Sequence, residues 1–164
     1  MDFTNYLEKF QKGADQLDKS LLTRKQMEVS VGVVLNSAFL KLYKKHWANP
    51  SQNPLMSESR IFFSIWVNKS TLQEKKIFYN IHALKLRKMK GYSIESRKFA
   101  DTFRTSFKKF KSKWPNVSVD FGPLTLMEGW TNFNINNFQN KVSVLANNFF
   151  EIEHLVDSTL DKFK

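Results

Sequence analysis

The chain has 164 residues, 41% hydrophobic and 25% charged, with 26 Lys and Arg against 15 Asp and Glu for a net charge of +11. That balance predicts a single soluble domain over 1–164, its core supplied by 16 Phe and 4 Trp, and excludes disorder and collagen-like repeats. Zero cysteines exclude a disulfide scaffold, a thiolate zinc site and a cysteine nucleophile, and with no apolar signal core at the start and no bilayer-length apolar run they predict a cytoplasmic protein.

Residues 3–22 read as a helix, because Phe3, Leu7, Phe10, Ala14, Leu17 and Leu21 recur every three or four positions. From Met27 to Leu35 the valines alternate with Glu28, Ser30 and Gly32, which predicts a strand. Residues 38–47, AFLKLYKKHW, suit a strand with Phe39, Lys41, Tyr43, Lys45 and Trp47 on one face, or a helix stacking Phe39, Tyr43 and Trp47; the strand is preferred. The proline-containing stretch 48–59 predicts a loop. The unbroken run RIFFSIWV (60–67) predicts a central strand buried on both faces, and 77–84 completes an antiparallel hairpin with it.

Phe99, Phe103, Phe107, Phe110 and Trp114 then mark one face of a helix ended by Pro115. That face is expected to cover the sheet and not a membrane surface. Residues 117–121 and 124–130 predict a strand bent at Gly122-Pro123. Phe138, Val142, Leu145, Phe149, Ile152, Val156, Leu160 and Phe163 predict one long C-terminal helix. The expected fold is α+β, a mostly antiparallel sheet of about four to five strands covered by three helices, including long N- and C-terminal amphipathic helices. Those two should pack together, leaving Val156, Leu160 and Phe163 as an apolar strip for a homodimer.

The charge is concentrated: residues 23–113 hold 20 basic and 5 acidic side chains, whereas both ends are slightly acidic. A field of that sign draws phosphates or another polyanion. Cationic and aromatic side chains interleave in FLKLYKKHW and SFKKFKSKW, so Lys41, Lys44, Lys45, Lys85, Arg87 and Lys88 are expected to contact phosphates and Tyr43 or Trp47 to stack a base. Lysine makes point contacts, which predicts binding without sequence preference. His46, His82 and His154 lie in three elements without metal-ligand spacing, and no phosphate-binding loop or nucleophile elbow occurs. No catalytic residue, cofactor or metal is therefore predicted. His82, Asp120 and Glu128 are the pocket candidates, on the expectation that the acids flanking Gly122-Pro123 converge on the histidine. The leading expectation is a non-catalytic nucleic-acid-binding module; a self-associating scaffold protein comes second and a small-molecule or hydrolytic pocket third.

Overall fold

A computed structural model describes residues 2–51 and 53–164. Five strands, Met27–Val34 (β1), Ser37–Lys44 (β2), Arg60–Asn68 (β3), Lys76–Leu84 (β4) and Thr125–Asn132 (β5), form one sheet. Each pairs antiparallel with its neighbour in the chain, and β3 is central, as its apolar run predicts. Six helices accompany them: Thr4–Asp15 (α1), Lys19–Arg24 (α2), Lys69–Gln73 (α3), Ser96–Phe107 (α4), Phe138–Phe149 (α5) and Glu153–Asp161 (α6). The α+β class with an antiparallel sheet is the one read from the sequence.

Two of the four strand connections are short. Leu35 and Asn36, both at positive φ, make the two-residue turn between β1 and β2 whose twist matches the strands. Between β3 and β4, the Asn68 side chain accepts from the Thr71 N–H while the Thr71 hydroxyl accepts from the Asn68 N–H, a reciprocal cap that starts α3.

The layering follows from residue parity. Ile61, Phe63, Ile65 and Val67 of β3 and Ile77, Tyr79, Ile81 and Ala83 of β4 are buried in the core, and Phe63 stacks on Phe149 of α5 with centroids 4.4 Å apart. On that face Tyr6 and Phe10 of α1 meet Phe138 edge-on at 5.2 and 5.3 Å. A Cβ on Gly13 would stand 3.3 Å from Val142, so the two helices approach as closely as they do because that side chain is missing. Phe99, Phe103 and Phe107 of α4 are fully buried, and Phe110 is half-buried in the 3-10 turns, Lys108–Lys113, that prolong the helix.

Three sequence expectations need correction. The N-terminal helix is two helices, because Asp18 accepts a hydrogen bond from the Leu21 N–H and caps α2 as a new start. The C-terminal helix is also two: successive i→i−3 bonds from Phe150, Glu151 and Ile152 tighten the backbone after α5. That corner lets Phe149 reach the sheet while α6 packs against α4, and the strip expected to bury a second copy is interior. Val156 and Leu160 are 0% and 1% exposed, and the Phe163 ring lies 5.8 Å from Phe99. Finally, residues 117–121 do not extend β5; the chain doubles back, and Ser118 alone forms a two-way bridge with Glu128. Among the described residues no helix is long and apolar enough to cross a membrane.

Candidate functional site

The alternate residues of the strands build the other face of the sheet, and no helix covers it among the described residues. Its groove, about 430 Å³, is lined only by strand residues and the β1–β2 turn. Pairing sorts these side chains into bands. Phe39, Trp66, Phe78 and Trp130 are successive partners across β2, β3, β4 and β5, forming one aromatic row. The Trp66 and Phe78 rings stack at 5.1 Å, and the Lys76 ammonium sits 4.1 Å over Trp130. One pleat away runs a polar row, Ser30, Lys41, Ser64, Asn80 and Glu128, again one residue per strand. Phe62 and His82 pair in the next.

The cations of this groove make no ion pair among the described residues. Lys41 lies 4.3 Å from the Phe39 centroid and 4.6 Å from that of Phe62, with no carboxylate in ion-pair range among the described residues; Arg60 has none either. Burial and then the nearby Arg60 charge push the Lys41 pKa below the usual lysine value, as expected of a cation that lacks a counter-ion. The Arg60 Nε is buried without an acceptor. Across the groove the Asn80 amide, 2% exposed, donates to Glu128 Oε1 at 3.1 Å, while its own Oδ1 is buried without a donor. Burial holds the His82 pKa below its ordinary 6.5, against the opposing pull of the Leu124 backbone and Glu128, so the ring is neutral at pH 7.

The structure brings two of the three pocket candidates together. His82 and Glu128 line the groove; Asp120 is exposed on the returning segment, its N–H donating to the Ser118 hydroxyl, and does not join them. The expected phosphate-contacting set is scattered. Lys41 is in the groove, but Lys44 points to the opposite face, where it pairs with Glu153 and Asp157 and is 5% exposed. Trp47 cannot stack a base from where it lies. The 3-10 turn Lys45–Trp47 tucks it wholly inside, its Nε1–H donating to Asp157 at 2.8 Å. Lys45 is exposed beside Glu28 at 3.8 Å. Lys85 and Lys88 both grip Glu58 at 2.9 Å, holding its pKa at about 2, with Arg87 exposed between them.

Sequence reasoning missed Arg60, Phe62, Trp66, Phe78, Asn80 and Trp130. A signal was present, because Arg60, Phe62, Ser64, Trp66 and Asn68 alternate with an unbroken aliphatic and aromatic series. Among the described residues no group of three or more His, Asp and Glu could hold a metal ion. No family model, curated protein or solved structure matches the chain.

Proposed function

We propose that the protein binds single-stranded nucleic acid on the helix-free face of its sheet. The observation that carries this reading is the in-register row of Phe39, Trp66, Phe78 and Trp130 beside the unpaired cations Lys41 and Arg60. Rings on a pleated surface offer stacking platforms to unpaired bases, and an anion between Lys41 and Arg60 relieves the repulsion of two neighbouring, partly desolvated cations. A duplex keeps its bases stacked inside and gains nothing from the aromatic row, so single strands are preferred. Lys85 and Lys88 contribute little, since Glu58 already neutralises part of their charge.

The test is anisotropy of a labelled dT12 over a salt series. Engagement of about two phosphates by Lys41 and Arg60 gives a slope of log affinity against log salt of roughly −1.4. Trp66→Ala should weaken binding about tenfold at constant slope, because one base loses its platform. Absence of binding at low salt, or a duplex bound as tightly as dT12, overturns the reading. The groove volume favours a second reading, a free mononucleotide-sized ligand, since about 430 Å³ is within the range of small-molecule sites. Affinity that does not rise from dT3 to dT12 selects it.

A further inference from the structure

We infer that Glu128 is an acceptor for the donor edge of a base and gives this surface a preference for guanine. The inference rests on the single-strand reading and deepens it. Phe78 and Trp130 stand two residues along their own strands from Asn80 and Glu128, on the same face. A base lying on those rings therefore turns one edge toward the Asn80–Glu128 pair.

That edge meets the Glu128 carboxylate. One Asn80 N–H is given to Glu128 Oε1, Glu128 makes no ion pair among the described residues, and Asn80 Oδ1 lacks a donor. The carboxylate is fixed at both ends: its backbone exchanges two hydrogen bonds with Ser118 at 2.8 and 3.0 Å, and its side chain is held by Asn80, the positioning residue. Its solitude is informative. Lys41 shares the polar row and a lysine is flexible, yet it lies over Phe39 and Phe62. Three strand spacings, about 14 Å at the backbone, separate the two residues. The groove thus offers an acceptor at one end and unpaired cations at the other, with aromatic rings alongside.

Guanine is the base that satisfies this arrangement. Its N1–H and N2 amino group present two parallel donors to a carboxylate, whereas the single N–H of thymine is flanked by carbonyls that repel it. Adenine and cytosine pair each donor with a ring acceptor that finds no partner in the carboxylate. Neither a lone carboxylate nor a lone aromatic row discriminates in this way; their spacing along β4 and β5 does.

Binding of dT12 and of the same strand with one central guanine or inosine is compared for the protein and for Glu128→Gln. The guanine strand should bind about tenfold tighter than dT12, the gain from one bidentate contact. Inosine, without the N2 amino group, should lose most of that gain. Glu128→Gln should abolish the preference while binding dT12 at least as well, because a negative charge leaves the groove. Equal affinity of the protein for dT12 and the guanine strand overturns the inference and leaves the single-strand reading standing. No binding of either strand at low salt overturns both. Persistence of the preference in a folded Glu128→Gln also overturns the inference; if that variant does not fold, the inosine comparison on the unaltered protein decides.

Discussion

At the scale of single residues, Gly129 shows how tightly the edge of the sheet is fitted. It pairs with Tyr79, whose hydroxyl reaches under β5 to donate to the Pro115 carbonyl at 2.7 Å. A Cβ on Gly129 would fall 2.2 Å from that hydroxyl oxygen and 2.8 Å from the Pro115 oxygen. Gly129→Ala must expel the tyrosine or bend the strand, and we expect a loss of about 2–3 kcal/mol in the urea midpoint analysis. A fall below 0.5 kcal/mol by the same ~1 kcal/mol-scale comparison would show that Tyr79 swings aside freely. None of this was legible in the sequence, where Gly129 reads only as a weak point in a strand. The core faces were legible, because Phe99, Phe103 and Phe107 carry their burial in their spacing. The aromatic row was not: Phe39, Trp66, Phe78 and Trp130 come from four strands, and only the register of all four unites them. The burial predicted for RIFFSIWV on both faces holds at Phe62 without a helix on that side. Phe62 is 4% exposed under neighbours such as Lys41, not beneath a second layer.

At the scale of elements, α6 is tied to β2 by charge. Lys44 pairs with Glu153 and Asp157, Lys25 reaches Glu153 at 2.8 Å, and His46 and Trp47 hold Asp157 at 2.6 and 2.8 Å. Burial opposes the charge on Asp157, but hydrogen bonds from His46, Lys44 and Trp47 outweigh it and depress its pKa well below the ordinary 3.8. A depressed carboxylate contributes stability that is complete above its unfolded pKa and disappears as the pH falls from there through the folded pKa. Asp157→Asn should therefore destabilise most at pH 7 and progressively less below about pH 4, as read from urea midpoints of both proteins across that range. A constant difference down to pH 2 would sink this account. The same network explains why lysine-rich sequence misled. Lys44 and Trp47 look like an interaction surface in FLKLYKKHW, yet their carboxylate partner lies 110 residues downstream of Trp47, and periodicity carries no information about such a contact. Helix boundaries failed for a related reason: a three-to-four spacing passes through the corners at 16–18 and 150–152 unchanged, although α5 packs on α1 and the sheet and α6 on α4.

For the whole molecule, the basic clusters of the sequence are distributed over different sides of the fold. Lys41 faces the groove, Lys44 is interior, and Lys108, Lys109 and Lys111 project from the helical side. What distinguishes the two sides is the aromatic row with its unpaired cations, so position outweighs net charge in the functional reading. The accessible surface, 8,810 Å², is close to the roughly 8,500 Å² expected of a compact monomer of this mass. Leu160 illustrates the consequence for assembly, because it is already buried in the chain's own core. Leu160→Asp should cost about 3–5 kcal/mol of folding stability through a buried charge and a lost side chain. Light scattering on the folded fraction should give an unchanged mass; a mass that halves would locate an interface at this helix.

The meander also sets an order of assembly. Strands β1 to β4 find their partners in nearby stretches of chain, whereas β5 joins β4 across residues 85–124 and α1 meets α5 only after more than a hundred intervening residues have been arranged. Closing the small loops first costs the least entropy, so the β1–β2 and β3–β4 hairpins, the second nucleated by the Asn68–Thr71 cap, are expected in the folding transition state, and the terminal helices close over them afterwards. Weakening Asn68 should then slow refolding, while trimming Phe138 should leave the refolding limb of a chevron nearly unchanged and steepen the escape from the native state. The chain's two ends act as a clasp, and until it shuts, the apolar underside of the sheet is the surface a chaperone would meet.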